Sequence, residues 1–237
     1  MQALRSALFN TAFYFNLVLF MLVFSPLFFG PRRWAMWALK LWASTSIWLL
    51  AGIAGTRLEI RGRENIAQGA AIIAAKHQSL FETFAVLPFL PDPAMVMKRE
   101  LMMIPLFGWF ARKFQMIPVD RGARATALKT LVNRALAAAR QGRQVLIFPE
   151  GTRRPPGAPP AYKPGAAALY LKLGVPCVPL ALNSGLYWPR RKFMRYPGVI
   201  VFQFLPSIPP GLSRPEFTKT LEAALETTTA ELLSAAR

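Results

Sequence analysis

Acidic side chains are scarce in this chain of 237 residues, which has 11 aspartates and glutamates against 29 lysines and arginines. The formal net charge is therefore +18, and a protein so basic is expected to meet an anionic partner, either nucleic acid or an anionic membrane surface. Hydrophobic residues make up 54% of the chain, which is too apolar for a typical soluble nucleic-acid-binding protein. Positive charge combined with apolar composition favours the membrane surface.

Cysteine and histidine are almost missing, with Cys177 and His77 as their only representatives. A single cysteine excludes an internal disulfide and fits a reducing compartment. One histidine and one cysteine far apart in the sequence do not suggest a zinc site. Cys177 lies in the apolar run "VPCVPLAL", where a buried structural thiol is expected rather than a nucleophile. Walker-type and G-x-G-x-x-G loops and a G-x-S-x-G elbow are also lacking, which excludes the enzyme classes that depend on them.

Charged residues are absent between Arg5 and Arg32, and the apolar run there is long enough for a membrane helix. A second apolar segment, 34–54, contains four of the six tryptophans, a residue that marks the lipid–water boundary. The run is too long for an ordinary signal peptide and has no A-x-A cleavage site. We expect residues 1–54 to form a retained helical hairpin that anchors the chain in a membrane. The hairpin either spans the bilayer or lies in one leaflet.

The remaining residues, 55–237, are predicted to form one α/β domain with a largely parallel sheet flanked by helices. Helical patterns alternate with short apolar runs, as in such domains. The helical patterns include "ARATALKTLVNRALAAARQG", in which Gly142 is the stop signal, and a C-terminal helix that begins at Ser213, where Glu216 completes a capping box. The strand-like runs are "RLEI", "AAIIAA", "AMVMK", "MIPV", "QVLIF", "VPCVPLAL" and "GVIVFQF".

The stretch "KHQSLFE" has two interpretations. His77 and Glu82 follow the strand-like "AIIAA", a position where functional groups often lie in α/β folds. Residues five apart diverge by about 140° on one helix, so the pair can meet only if His77 precedes the helix and Glu82 lies in its first turn. The alternative is structural, because Ser79 and Glu82 also fit a capping box.

Further polar side chains follow other predicted strands. The turn "FPEGTRR" contains Glu150, Gly151 and Arg153, of which the arginine suits a phosphate and the glycine permits close backbone approach. Lys98 ends "AMVMK", and Arg121 follows "IPVD". Each of these features alone is compatible with a solvated basic loop. Together they place a base candidate and several cations at the strand ends of one sheet.

The ordered blocks "KHQSLFE", "KREL", "IPVDR", "FPEGTR" and "VPLAL" resemble the glycerolipid acyltransferase family, in particular its bacterial lysophosphatidic acid acyltransferases. The resemblance covers roughly residues 55–210, and the apolar hairpin also suits the family. Five blocks in the same order make a chance similarity improbable. One position departs from the family pattern, which has aspartate where this chain has Glu82.

The resemblance implies acyl transfer from a thioester donor, either acyl carrier protein or acyl-CoA, to the sn-2 hydroxyl of lysophosphatidic acid. His77 would be the general base and Glu82 its carboxylate partner. The residues implied to hold the glycerol phosphate are Lys98, Arg121, Glu150, Gly151 and Arg153. No metal or bound cofactor is implied, and nucleic acid is not an expected partner. The expected location is the bacterial inner membrane, among anionic lipids, with the active site on the cytoplasmic side.

Two other functions stay open at this point. The same chemistry could serve another acceptor, such as a lyso-ornithine lipid, although phosphate-binding arginines favour a phosphate-bearing one. The chain could also be a non-catalytic protein whose basic surface binds anionic membranes. The ordered motifs disfavour that function, because charge attraction alone needs no particular order of residues.

Overall fold

The computed structural model describes residues 1–120 and 124–236, and in that part of the chain eight α-helices accompany seven strands. The helices are α1 (Gln2–Val23), α2 (Arg32–Leu49), α3 (Phe81–Ala85), α4 (Phe107–Lys113), α5 (Arg124–Arg140), α6 (Pro164–Leu173), α7 (Ser184–Tyr187) and α8 (Arg214–Ser234). The strands are β1 (Thr56–Arg61), β2 (Ala71–Ala75), β3 (Pro93–Lys98), β4 (Ile117–Val119), β5 (Gln144–Ile147), β6 (Cys177–Leu182) and β7 (Gly198–Phe204).

The seven strands form one sheet in the order β1-β7-β6-β2-β5-β3-β4. Neighbours from β6 to β4 are parallel, β7 is antiparallel to β6, and β1 is parallel to β7. Each of the seven apolar runs contributes one strand, which confirms the predicted α/β fold with a mostly parallel sheet. The carboxyl ends of β6, β2, β5, β3 and β4 consequently meet at one edge.

The sheet is covered on both faces. All five residues of the central strand β2 are buried, as expected for a parallel strand with helices on both sides. On one face Ile73 packs with Phe81 of α3 and with Phe9 and Leu50 of the N-terminal segment. The other face packs against α5, α6 and α8, which contribute Leu131, Leu169, Phe217 and Leu221, among others. The α8 helix begins with the predicted Ser213–Glu216 capping box.

The N-terminal segment is a helical hairpin whose second arm ends in a π-helical turn, Leu50–Ala54. Gly55 stops this arm with a left-handed φ of 74°, and β1 starts at the next residue. Residue 54, where the sequence predicts the domain boundary, is the last residue of this turn, and the division into domains stays a prediction. One side of the hairpin belongs to the same hydrophobic cluster as the sheet, because Phe9, Phe13 and Leu50 are buried there. Both arms, Gln2–Val23 and Arg32–Ala54, are long and apolar enough to cross a membrane.

The other side of the hairpin is exposed and apolar. Only 22% and 28% of the two apolar stretches are buried, so neither arm resembles the enclosed core helix of a soluble protein. Phe15 and Trp48 are 67% and 74% exposed. The apolar surface continues onto α4, where the half-exposed Trp109 packs edge-on against Phe28. An uncovered apolar surface of this kind is typical of a membrane-contacting face.

A partly buried ionic contact joins the hairpin to the sheet. Arg32 at the start of α2 makes two hydrogen bonds to Asp92, the residue before β3. The fully buried Arg143 lies 3.3 Å from the same carboxylate and donates to the carbonyls of Pro93 and Phe114. Burial would raise the pKa of Asp92, but the hydrogen bond from Arg32 and the attraction of both arginines outweigh it and lower that pKa. The hairpin is therefore fixed to the sheet edge through a charged carboxylate.

The exposed apolar face predicts that the full-length chain stays with the membrane fraction through a high-salt wash and is released by detergent. Burial of apolar side chains is insensitive to ionic screening, whereas attraction of the +18 charge to lipid headgroups is not. Release by salt alone would show that charge is the only tether. The test needs the whole chain, because deletion of the hairpin would remove Phe9 and Phe13 from the core.

Candidate active site

Polar side chains gather at the carboxyl edge of the sheet. His77 follows β2, Glu150 and Arg153 follow β5, Lys98 ends β3, and Ser184 follows β6. Because these four strands are parallel and neighbouring, their carboxyl ends bring together residues more than 100 positions apart. This edge is the usual position of ligand sites in open α/β sheets.

His77 and Glu82 are in direct contact, with 2.9 Å between Nδ1 and Oε1. His77 lies in the loop after β2, and Glu82 is the second residue of α3, which is the arrangement that the sequence required for the pair to meet. The predicted contact is thus confirmed.

The Glu82 carboxylate is fully buried and surrounded by donors. Oε1 accepts the backbone N–H groups of Gln78 and Ser79 at 2.7 Å each, and Oε2 accepts the Ser184 hydroxyl at 2.7 Å. In a complete capping box the Ser79 hydroxyl would accept the backbone N–H of Glu82. Here it accepts the backbone N–H of Phe81 instead. One carboxylate therefore both orders the start of the helix and faces the imidazole.

The contact with Glu82 sets the tautomer of His77. An ionised carboxylate only accepts hydrogen bonds, so Nδ1 carries the proton and Nε2 has its lone pair free. The ring stacks on Phe148, with centroids 4.1 Å apart, and 12% of the side chain is exposed. Nε2 makes no hydrogen bond within the part of the chain that the structure describes. The imidazole is thus rigidly held, with one basic nitrogen available to a substrate.

An ion-pair network around the buried Lys76 and Glu150 is bonded to the backbone N–H of His77. Glu150 is 1% exposed; its Oε1 lies 2.9 Å from Lys76 Nζ, and its Oε2 accepts the His77 backbone N–H. Lys76 also pairs with Glu226 of α8, to which the Tyr162 hydroxyl donates. Burial and the nearby carboxylates raise the pKa of Tyr162 far above its usual range, which keeps this hydroxyl a donor. The negative charge of Glu150 is thus paired with the positive charge of Lys76 inside the protein.

The "EGTRR" turn closes against His77. Gly151 adopts a left-handed φ of 65° and donates its N–H to the Phe148 carbonyl. The Arg154 N–H then donates to the His77 carbonyl at 2.7 Å. Arg153 and Arg154 are half-buried, and neither forms an ion pair with any described residue. The turn that bonds the His77 backbone thus carries two arginines without an ion pair among the described residues.

Lys98 and Arg121 are the two remaining cations predicted to bind the phosphate. Lys98 is exposed at the end of β3, two strands away from β2, and has no contact to His77 among the bonds of the described chain. Arg121 lies outside the described residues. Between them in sequence, Arg99 and Asp120 form an exposed ion pair of 3.2 Å at the same sheet edge.

Cys177 lies away from this edge. Cys177 starts β6 and pairs in register with Ile72 at the start of β2, which places it at the far end of the sheet from His77. Burial raises the pKa of its thiol to about 12, so it is a structural residue, as predicted. Among residues 1–120 and 124–236, no cluster of three histidine, cysteine or acidic side chains could hold a metal ion.

Sequence reasoning did not find several residues of this site. Lys76 and Ser184 contact the predicted Glu150 and Glu82 across 74 and 102 positions of sequence. Glu226 contacts Lys76 across 150 positions. Lys76 had one available signal, since it stands next to His77 at the end of a buried strand. Ser184 stands at the end of β6 in "ALNSGL", a position analogous to that of His77.

Comparisons with known proteins identify the family. The sequence model of the family described as "Acyltransferase" matches residues 57–183, more than half of the chain. The 1-acyl-sn-glycerol-3-phosphate acyltransferase of Pseudomonas aeruginosa is 42% identical over 159 residues, which cover 67% of this chain and 62% of that protein. The human 1-acyl-sn-glycerol-3-phosphate acyltransferase beta is 28% identical, over 73% of this chain and 65% of its own length. The chain thus spans less than two thirds of each of these relatives.

A solved structure supports the fold over its whole length. The crystal structure of the 1-acyl-sn-glycerophosphate (LPA) acyltransferase PlsC from Thermotoga maritima superimposes with a TM-score of 0.80 at 22% identity. The match covers 98% of this chain and 99% of the other. Fold, site geometry and sequence match together show that the chain belongs to the acyltransferase family.

Proposed function

We propose that this protein transfers an acyl group from a thioester donor to the sn-2 hydroxyl of lysophosphatidic acid, giving phosphatidic acid for phospholipid synthesis. The observation that carries the proposal is the His77 ring, whose Nδ1 is held by the buried Glu82 carboxylate while Nε2 has no partner among the described residues. The names of the curated relatives support the same acceptor.

His77 is proposed to act first as base and then as acid. Nε2 takes the proton of the sn-2 hydroxyl while the hydroxyl oxygen attacks the thioester carbonyl carbon. The resulting tetrahedral intermediate breaks its carbon–sulfur bond, and the proton on Nε2 passes to the departing thiolate. Glu82 stabilises the imidazolium that exists between these two proton transfers. The ester and the free thiol are the products, and no redox partner is needed.

The acceptor's phosphate is proposed to bind Arg153, with Lys98 and Arg121 as further cations at the same sheet edge. Arginine suits this role because its planar guanidinium can make two parallel bonds to phosphate oxygens. Glu150 and Gly151 act by position in this proposal: Glu150 holds the His77 backbone, and Gly151 forms the turn that presents Arg153.

The protein is proposed to work at the bacterial inner membrane, with the site facing the cytoplasm. The exposed face of the hairpin would contact lipid, and anionic headgroups would attract the basic domain. This location brings the lyso-lipid to the site from the bilayer, while acyl carrier protein or acyl-CoA arrives from solution. No bound cofactor is part of the proposed reaction.

An acceptor panel tests the function. Membranes containing the full-length protein are given labelled acyl-CoA or acyl carrier protein together with lysophosphatidic acid, other lysophospholipids or lyso-ornithine lipid. We expect labelled phosphatidic acid to form fastest. Membranes with His77→Ala are the control and should lose roughly 10²–10⁴-fold in rate, the usual contribution of a positioned base. Preference for another acceptor, or an active His77→Ala enzyme, would contradict the proposal.

Glu82→Gln separates the charge of this side chain from its structural role. Glutamine keeps the size, its carbonyl can accept the Gln78 and Ser79 N–H groups, and its amide can donate to the Ser184 hydroxyl. The melting temperature should change little, whereas kcat should fall about 10²–10⁴-fold because the imidazolium loses its counter-charge. Glu82→Asp keeps the charge at a greater distance and should have intermediate activity. A glutamine variant with wild-type kcat would leave Glu82 with a capping role alone.

A further inference from the structure

The structure assigns to Arg190 a role that the motif residues do not fill: we propose that it is a second ligand of the acceptor's phosphate, paired with Arg153. This inference rests on the proposed function. Arg190 lies beyond residue 183, where the match to the family's sequence model ends. It belongs to the loop between α7 and β7, and none of the sequence motifs above includes it.

One peptide group connects Arg190 to the catalytic candidate. The carbonyl of Arg153 accepts a 2.6 Å hydrogen bond from Arg190 Nη1, and the N–H of the same peptide unit donates to the His77 carbonyl at 2.7 Å. The path through this single peptide puts Arg190 Nη1 at most about 8 Å from the His77 carbonyl oxygen. Arg190 therefore lies beside the same turn that presents Arg153.

Most of the hydrogen-bonding capacity of Arg190 is unused. A guanidinium has five N–H donors, yet the residues of the described chain accept only from Nη1. Nε is buried and has no partner there, and Nη2 has none either. None of the ion pairs in residues 1–120 and 124–236 includes Arg190, Arg153 or Arg154. A half-buried cation without a counter-charge indicates a site that an anion completes.

The charge of the acceptor matches two arginines better than one. A phosphate monoester carries about −1.5 to −2 charges near neutral pH, so more than one cation is needed to balance it. Of the cations proposed beside Arg153, Lys98 lies two strands away from β2. Glu82 and Glu150, the acids of the site, are buried and bonded to other groups, and neither forms an ion pair with Arg190. The sn-2 hydroxyl and the phosphate are on adjacent carbons of the glycerol, so the hydroxyl can face His77 while the phosphate reaches the arginines.

The loop holds Arg190 in a defined place. Trp188 is 4% exposed, donates its N–H to the Ser184 carbonyl, and packs against the Arg195 guanidinium at 4.5 Å. The base of the loop is closed by a hydrogen bond from Tyr196 N to the Tyr187 carbonyl. A cation that is already fixed loses less conformational entropy when it binds an anion. Ser184, which holds Glu82, thus also anchors the loop that carries the second arginine.

Substitution of Arg190 by glutamine removes its positive charge and keeps a hydrogen-bond donor. Arg190→Gln retains an amide that can bond the Arg153 carbonyl, and it removes the positive charge. We expect the KM for lysophosphatidic acid to rise roughly 10-fold or more, the usual loss for one charge-assisted hydrogen bond, with kcat nearly unchanged because the contact exists throughout the reaction. The KM for the thioester donor should not change. Arg190→Lys, which keeps the charge, should fall between wild type and Arg190→Gln.

Arg191→Gln is the matched control, because it removes the same charge from the next, exposed residue of the loop. In micelles of neutral detergent it should leave both KM values at wild-type levels. An Arg153→Gln, Arg190→Gln double variant should lose less than the product of the single losses, since both arginines would bind one phosphate.

Three results would overturn the inference alone. The first is an Arg190→Gln enzyme whose KM for lysophosphatidic acid is unchanged, and the second is a rise only in the KM for the thioester donor. The third is that Arg190→Gln and Arg190→Lys lower kcat and raise KM to the same extent. The last result would mean that the guanidinium only positions the turn. A wild-type enzyme that does not acylate lysophosphatidic acid would instead contradict the proposed function, and this inference with it. The two failures are therefore distinguishable in the same assay.

Discussion

The buried carboxylate of Glu82 is the constraint on which the site depends. A carboxylate out of contact with water is destabilising unless donors replace the lost hydration, and here four groups do so. Two are backbone N–H groups at the start of α3, one is the Ser184 hydroxyl at the end of β6, and one is the His77 ring. The strand order matters directly, because Ser184 can reach Glu82 only when β6 lies next to β2. The fold thus determines the position of the Glu82 carboxylate, and this carboxylate determines which ring nitrogen of His77 carries the proton.

The site separates its acids from its cations. Glu82 and Glu150 are enclosed and bonded to histidine, lysine and backbone groups, whereas Arg153 and Arg190 form no ion pair with any described residue. The two carboxylates therefore bind groups within the protein, whereas the two arginines remain available to an anionic ligand. The same division exists in the whole chain, whose +18 net charge accompanies an uncovered apolar hairpin face. Such a surface suits an amphipathic anion, which has an apolar tail and a charged head.

The sequence was sufficient for features that depend on local pattern. The seven strands, the hairpin and the Ser213–Glu216 cap follow from apolar runs, helix periodicity and capping residues within a few positions of each other. The contact between His77 and Glu82 could be predicted for the same reason, since the pair is only five residues apart. The antiparallel direction of β7 could not, because an apolar run carries no information about the direction in which it pairs.

Features that depend on long-range contacts required the structure. Ser184 and Glu226 acquire their partners 102 and 150 residues away, and Arg190 becomes relevant only because its loop folds back onto the Arg153 carbonyl. Glu150 illustrates the opposite case: the motif pointed to it, and its buried pairing with Lys76 and the His77 backbone N–H now favours a positioning role over contact with the phosphate.

The most direct test of the account is the protonation of the His77 ring, which is the only histidine in the chain. Nitrogen NMR of the full-length protein labelled with ¹⁵N-histidine in neutral-detergent micelles would report one imidazole without ambiguity. We predict that the neutral form of the ring carries its proton on Nδ1, bonded to Glu82, and that its Nε2 is unprotonated. A ring protonated on Nε2, or one that exchanges freely between both tautomers, would contradict the claim that a buried carboxylate holds the catalytic base ready.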